Sequence, residues 1–287
     1  MISIHEVGPR DGLQALPKIV TEQKIELINR LADAGLKFIE VASFVDAKII
    51  PQMADASEVA KGIEKKKGVT YCALVPNIHY YNIAVASGIK HIAVFLSANN
   101  EHNMKNVGRS TKETKEEIKK ILEAARDSIL VKGYISVAFG YKSKSDVNVK
   151  NIVDISRWLF DIGVEKISLA DTFGLAKPDD IKERVKAVSD ETGVENLMLH
   201  LHCSDNCIKN IETAIEMGIY GFDSSVAGLG GCPTDELIGN VSTEDIVDFF
   251  ESRKIHTGID AKKIREISVW LKELTGSPRT TTEKFST

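Results

Sequence analysis

Two histidines, His200 and His202, close the apolar segment Asn196–His202. Apolar and polar residues alternate there with the period of a strand, so both imidazoles are expected on the same face. Burying two imidazoles is costly unless something satisfies them. A divalent metal would do so, because imidazole is the commonest protein ligand for such ions. The alternative is a pair of core histidines bonded to backbone or carboxylate groups.

Other predicted strands also end in residues that bind metals. Asp11 follows the first strand and Asn240 lies just beyond the last. Together with His200 and His202 they make a mixed set of oxygen and nitrogen donors without a thiolate. Such a set suits octahedral Mg²⁺ or Mn²⁺ better than structural zinc. Taken alone, Asp11 fits a turn or cap residue better than a metal ligand.

Charged residues follow the same pattern at the ends of other strands. Arg10 precedes Asp11, Glu40 lies near the end of the second strand, and Asp171 ends the sixth. A fixed guanidinium at this rim would stabilise a developing oxyanion. The alternative is an ion pair between Arg10 and one of these carboxylates that simply holds the rim together.

A glycine-rich loop follows the last strand and carries a cysteine. Cys232 follows Gly228, Gly230 and Gly231 and precedes Pro233. Gly228, Gly230 and Gly231 permit unusual backbone angles and a mobile loop. A thiol there can act as a general acid or base if its surroundings lower its pKa. The alternative is a small buried apolar side chain, which is the usual role of a free cysteine; we expect that role for Cys203 and Cys207.

Short apolar segments alternate with longer amphipathic ones along the whole chain. The predicted strands are Ser3–Val7, Phe38–Ala42, Thr70–Val75, His91–Leu96, Tyr134–Phe139, Lys166–Ala170, Leu197–His202 and Gly221–Ser224. The predicted helices are Thr21–Ala34, Gln52–Lys61, Ile78–Ser87, Lys112–Val131, Val149–Ile162, Pro178–Thr192, Asn206–Met217, Thr243–Glu251 and Ala261–Leu274. Repeats of roughly 30 residues without a linker predict a (β/α)₈ TIM barrel with an additional C-terminal helix. We expect one domain, with the barrel over about 1–256 and the extension over about 257–287.

Composition limits the classes of function. With 43% hydrophobic residues among 287, the chain can bury a large core. A net charge of −4 argues against nucleic acid or an anionic membrane as the main partner. The 4 cysteines show neither zinc spacing nor a disulfide framework, and no targeting segment or membrane-spanning run is recognisable. We therefore expect a cytoplasmic protein.

Beyond these patterns, the chain resembles the 3-hydroxy-3-methylglutaryl-CoA lyase family, within a wider superfamily of metal-dependent lyase and acyltransferase barrels. The resemblance covers essentially the whole barrel and rests on Gly8–Gln14, Ile39–Val45, Pro51–Met53, Val75–Asn77, Ile167–Gly174, His200–His202, Val226–Pro233, Gly239–Asn240, Thr243–Asp245 and Gly258. Leu13 occupies a position where the condensing synthases usually carry glutamate, which favours the lyase branch.

The resemblance implies a retro-Claisen cleavage of an acyl-CoA that releases acetyl-CoA and a ketoacid, in a homodimer. Arg10 would stabilise the thioester enolate, and Cys232 would take part in proton transfers with Glu40 and Asp171 orienting or shuttling. The implied metal ligands for Mg²⁺ or Mn²⁺ are Asp11, His200, His202 and Asn240. The substrate contacts predicted at the same rim are Gln14, Ser43, Ser168 and Thr172.

Several segments depart from the family pattern, and they leave alternatives open. These segments are Asn99–Asn100, Gly140–Ser145, Cys203–Ser204 and Thr234–Ile238. The proposed metal ligands and the cysteine are kept. We therefore expect the same cleavage reaction, on 3-hydroxy-3-methylglutaryl-CoA or on a related 3-hydroxyacyl-CoA. A Claisen-type 2-alkylmalate synthase and a 4-hydroxy-2-oxoacid aldolase are the enzymatic alternatives. A degenerate barrel that binds acyl-CoA without turnover is the non-enzymatic one.

Overall fold

A computed structural model describes residues 2–14, 16–202, 206–230 and 238–276 of the chain. The strands are β1 (Ser3–Glu6), β2 (Phe38–Ser43), β3 (Thr70–Leu74), β4 (His91–Ser97), β5 (Leu130–Ser136), β6 (Lys166–Asp171), β7 (Leu197–Leu201) and β8 (Gly221–Ser224). The α-helices are α1 (Thr21–Asp33), α2 (Ala56–Gly62), α3 (Ile78–Ala86), α4 (Asn100–Val107), α5 (Thr111–Ala125), α6 (Val149–Asp161), α7 (Pro178–Thr192), α8 (Cys207–Glu216), α9 (Thr243–Ser252) and α10 (Ala261–Thr275). Short helical turns lie at Gly8–Gly12, Pro51–Met53, Arg126–Ser128, Lys144–Asp146, Val194–Asn196 and Val226–Gly228.

The strands form a closed barrel in the order β1-β2-β3-β4-β5-β6-β7-β8. The paired strands run parallel: Phe38 of β2 is opposite Thr70 of β3, and Ile167 of β6 is opposite Leu197 of β7. Parallel neighbours need a crossover connection, and each described strand is followed by a helix that supplies it. The predicted (β/α)₈ TIM barrel with an additional C-terminal helix is confirmed.

One compact unit comprises Met1–Leu74, Ile83–Ile89 and Phe222–Thr287. Helix α1 buries Leu27 and Leu31, which recur with the helical period on one face. The additional helix α10 packs against α1 and α9. It does so with a stripe that includes the buried residues Ile264 and Leu271.

A second compact unit comprises Val75–Asn82 and Lys90–Gly221. Within it α6 packs against α7, and α7 packs against α8. The buried faces carry Ile152 and Leu159 on α6 and Val185 on α7. The assignment of the chain to a single domain stays a prediction. None of the described helices is long and apolar enough to cross a bilayer.

The largest differences from the predicted elements lie between β4 and β5. Helix α4 was not predicted; it begins after Asn99, whose side chain accepts from the backbone N–H of His102, and ends at Gly108 in the left-handed region. The predicted helix Lys112–Val131 ran too far, because α5 ends at Ala125 and β5 starts at Leu130. Arg126, at φ +40°, turns the chain without a glycine to mark the stop.

Candidate active site

The turn after β1 positions the first two predicted site residues. Residues Gly8–Gly12 form one π-helical turn, and all of them are buried. The N–H of Asp11 donates to the Val7 carbonyl at 2.7 Å. A Cβ on Gly8 would lie 2.6 Å from the Glu6 carboxylate, so the backbone can pass there only without a side chain. Wide helical turns of this kind occur frequently at functional sites.

Arg10 is fixed by two carboxylates. Its Nε and Nη2 each lie 2.8 Å from Glu40 Oε2, and its Nη1 donates to Asp11 Oδ1 at 2.6 Å. All three side chains are buried. The predicted ion pair with Glu40 is therefore present. The guanidinium is held in one orientation, as a preorganised donor requires.

Asn240 meets Asp11 from the segment that precedes α9. Its Nδ2 donates to Asp11 Oδ2 at 2.7 Å and to the Leu229 carbonyl at 2.9 Å. Gln14 Nε2 donates to the other oxygen of Asp11 at 3.1 Å. Because both amide hydrogens of Asn240 are used, the orientation of its amide group is fixed. Its buried Oδ1 accepts no hydrogen bond from the described residues, which fits a metal ligand.

The glycine loop after β8 packs directly on this pair. Gly228 has φ +62° and Gly230 has φ +119°. A Cβ on Gly230 would lie 2.2 Å from Asn240 Nδ2 and 2.9 Å from Asp11 Oδ2. Only glycine fits both the backbone angle and the space. The predicted Gly231 and Cys232 lie outside the described residues.

The two histidines lie at the end of β7 as predicted. His200 and His202 are both buried, and their Nε2 atoms are 3.2 Å apart. Two ring nitrogens at this distance either share a proton or face a common cation. The Tyr134 ring meets the His200 ring edge to face, with 5.6 Å between centroids. Lys132 Nζ donates to the Tyr134 hydroxyl at 2.8 Å.

Asp171 ends β6 and is also buried. The N–H groups of Leu175 and Ala176 donate to its carboxylate at 2.8 and 3.0 Å. Burial raises the pKa of Asp171 to about 6, although these hydrogen bonds oppose the shift. A carboxyl group with this pKa can both accept and return a proton near neutral pH.

The predicted substrate residues occupy different surroundings. Ser43 is buried at the end of β2, and its hydroxyl has no hydrogen-bond partner among the described residues. Ser168 is buried within β6. The Thr172 hydroxyl accepts from the N–H of Val137 at 2.9 Å, which ties together the ends of β5 and β6.

Among the described residues, Asp11, His200 and His202 form a group that could hold a metal ion. Each offers one ligand atom, and these atoms lie within 4.8 Å of one another. The group contains carboxylate and imidazole donors, and Asn240 adds an amide oxygen beside Asp11. This donor set fits Mg²⁺ or Mn²⁺.

The departures from the family pattern have structural roles where they are described. Asn99 caps α4, and its Nδ2 donates to the Asp146 carbonyl at 3.1 Å. Asn100 Oδ1 accepts from the N–H of Thr111 at 2.9 Å. Tyr141 is buried against the rings of His102 and Phe173. Cys203–Ser204 and Thr234–Leu237 lie outside the described residues.

The sequence did not reveal two buried carboxylates beside the glycine loop. Glu6 and Glu244 are buried carboxylates that accept hydrogen bonds from the backbone of the glycine loop. A lone acidic residue in a short apolar strand was the only signal for Glu6. One expectation is wrong: Cys207 is disulfide-bonded and not a packing residue with a free thiol. Cys72 is fully buried in β3.

The chain is similar to known proteins over most of its length. Residues 1–270 match the family described as HMGL-like. Hydroxymethylglutaryl-CoA lyase YngG of Bacillus subtilis is 40% identical over 281 residues, covering 96% of this chain and 94% of the relative. The human mitochondrial hydroxymethylglutaryl-CoA lyase is 40% identical over 269 residues, covering 92% of this chain and 83% of the relative.

Solved structures agree with the sequence relatives. The crystal structure of the Bacillus subtilis HMG-CoA lyase has a TM-score of 0.94 and 39% identity, covering 99% of this chain and 96% of the other. The HMG-CoA lyase from Acinetobacter baumannii in complex with coenzyme A and 3-methylmalate also has a TM-score of 0.94, at 32% identity, covering 99% of this chain and 94% of the other.

Proposed function

We propose that this chain, which belongs to the HMGL-like family, is a divalent-metal-dependent carbon–carbon lyase. It cleaves 3-hydroxy-3-methylglutaryl-CoA, or a related 3-hydroxyacyl-CoA, to acetyl-CoA and a ketoacid. The observation that carries the proposal is the buried group of Asp11, His200 and His202, in a chain 40% identical to hydroxymethylglutaryl-CoA lyases over most of its length.

The proposed metal ligands are Asp11, His200, His202 and Asn240. These residues would hold Mg²⁺ or Mn²⁺, which would supply Lewis-acid chemistry at oxygen atoms of the substrate. The bond from Asn240 Nδ2 to Asp11 presets two of these residues before metal binds. His200 and His202, whose Nε2 atoms lie 3.2 Å apart, would supply the nitrogen donors.

Arg10 is proposed to stabilise the negative charge that develops during cleavage. The 3-hydroxyl group loses its proton, the C2–C3 bond breaks, C3 becomes a carbonyl, and the electron pair forms a thioester enolate. A guanidinium already held by Glu40 and Asp11 does not have to reorganise when that charge appears. It therefore binds the transition state more tightly than the substrate.

Proton transfers complete the reaction. One group must take the hydroxyl proton, and another must give a proton to C2 of the enolate to form acetyl-CoA. The pKa of Asp171, raised by burial to about 6, suits either role. Cys232 on the glycine loop is proposed as the partner in these transfers, with Glu40 orienting Arg10.

The finer assignments follow from the family alone. Substrate contacts are proposed for Gln14, Ser43, Ser168 and Thr172. The acyl-CoA partner is supported by the related lyase in complex with coenzyme A. A homodimer is proposed on resemblance, and a cytoplasmic location on the cysteine pattern.

The deciding experiment measures acetyl-CoA release from 3-hydroxy-3-methylglutaryl-CoA with and without Mg²⁺ or Mn²⁺. Turnover that needs the metal and is lost in Cys232→Ala supports the proposal. Turnover only with other 3-hydroxyacyl-CoAs would keep the reaction and change the substrate. Thiol release from acetyl-CoA and a 2-oxoacid, without cleavage, would instead support the 2-alkylmalate synthase. No reaction in either direction would overturn the proposal.

A further inference from the structure

Glu6 is fully buried at the end of β1 and takes no part in the proposed chemistry. Its carboxylate receives hydrogen bonds from separate segments of the chain. Oε1 accepts from the N–H of Gly8 at 2.7 Å and from the N–H of Val226 at 3.0 Å. Oε2 accepts from the Thr243 hydroxyl at 2.6 Å.

Each of these donors belongs to a segment that carries or contacts the Asp11–Asn240 pair. Gly8 begins the turn that ends one residue after Asp11. Val226 begins the loop that leads to Gly230, whose Cα hydrogens face Asn240 and Asp11. Thr243 begins α9, only three positions after Asn240.

A second carboxylate supports the same loop. Glu244 accepts from the N–H of Ala227 at 3.0 Å, and Ala227 has φ +62°, a conformation that a non-glycine residue adopts only when its surroundings impose it. The groups that face Glu6 are therefore donors from its own turn, the glycine loop and α9, together with the nearby carboxylate of Glu244.

We infer that Glu6 is a positioning residue for the metal centre: one buried carboxylate sets the placement of Asp11 relative to Asn240. It does so by binding the turn, the glycine loop and the start of α9 at the same time. This inference rests on the proposed function, because it concerns the ligands of that site. Residues that orient metal ligands typically contribute 10-fold to 100-fold in metal affinity.

Substitutions at Glu6 separate positioning from simple stability. Glu6→Asp is one methylene too short to reach all three donors, and Glu6→Ala reaches none. Glu6→Gln keeps Oε1 for Gly8 and Val226, and its Nε2 can donate to the Thr243 hydroxyl, which then acts as an acceptor. Thr243→Val removes only the hydroxyl donor while keeping the shape of the side chain.

The measurement is the Mn²⁺ dissociation constant, from the electron paramagnetic resonance signal of free Mn²⁺. We expect Glu6→Asp and Glu6→Ala to raise it about 10-fold to 100-fold, Thr243→Val to raise it less, and Glu6→Gln to recover most of the lost affinity. The matched control is Asp55→Ala, which breaks the partly buried ion pair with Lys24 in the same unit and touches none of the three segments. It should lower Tm without changing Mn²⁺ affinity.

The outcomes distinguish this inference from the proposed function. If folded Glu6→Asp and Thr243→Val bind Mn²⁺ as tightly as the wild type, the inference is wrong, even if Glu6→Ala does not fold. If the wild type binds Mn²⁺ but does not cleave 3-hydroxy-3-methylglutaryl-CoA, the proposed substrate fails while the positioning role is still measured. A wild type that binds no Mn²⁺ overturns both.

Discussion

At the scale of single residues, Arg10 has the most constrained geometry of the proposed catalytic groups. Replacing it with glutamine removes the positive charge and with it the ion pair to the buried Glu40 carboxylate. We expect kcat to fall about 10²-fold to 10³-fold, as for loss of one oxyanion donor, with a much smaller change in Mn²⁺ affinity. Arg10→Lys is the matched control for charge without the planar guanidinium. A kcat unchanged in Arg10→Gln would remove Arg10 from the mechanism.

The pKa of Glu6 predicts how the stability of the folded protein depends on pH. Burial raises its pKa from 4.5 to about 7, so the folded state binds this proton more tightly than the unfolded state does. This contribution to stability is fully present below pH 4.5 and is lost as pH rises toward 7. A shift of this size corresponds to about 3 kcal/mol. Urea unfolding between pH 5 and pH 8 should show a smaller loss of stability in Glu6→Gln than in the wild type. Equal losses in both proteins would contradict the raised pKa.

At the scale of elements, the glycine loop is predicted to tolerate no side chain at Gly230. Alanine there would be strained at φ +119°, and its Cβ would collide with Asn240 and Asp11. We expect Gly230→Ala to weaken Mn²⁺ binding at least about 10-fold. Gly68→Ala is the control, because Gly68 has φ +80° in the same unit and a Cβ there meets nothing within 4 Å. It should cost stability through strain alone, about 1 kcal/mol. Equal Mn²⁺ affinities in the two variants would show that the contact does not matter.

The alternation of elements was predictable, whereas some boundaries and most contacts were not. Glycines that follow α1 and α3 predicted where these helices end, and in the structure they end at Asp33 and Ala86. The end of α5 at Ala125 had no such marker, because Arg126 makes the turn there without a glycine. Strand ends located Asp11 and His200 at one rim because parallel strands in a barrel share a direction. The partners of Glu6 were not predictable, because two of them lie more than 200 positions away.

At the scale of the whole molecule, the proposed metal ligands come from opposite ends of the sequence, at residues 11, 200, 202 and 240. An unfolded chain cannot present them together, so a bound ion stabilises the folded state by mass action. At 100 times its dissociation constant, Mn²⁺ should add about 2.7 kcal/mol and raise Tm by about 5 °C or more. Chelation with EDTA should reverse the shift, which differential scanning calorimetry measures.

The histidines offer a matched pair of variants for this experiment. His202→Ala removes a proposed ligand at the end of β7, and we expect it to abolish most of the Mn²⁺-dependent shift in Tm. His91→Ala removes an imidazole from the first residue of β4, at the opposite end of a parallel strand, and should keep the full shift. Both variants lose one imidazole. A shift that is lost only in His202→Ala therefore cannot come from weak binding of Mn²⁺ to histidines in general. If the shift survives in His202→Ala, the ion is bound elsewhere, and the ligand assignment at this rim is wrong.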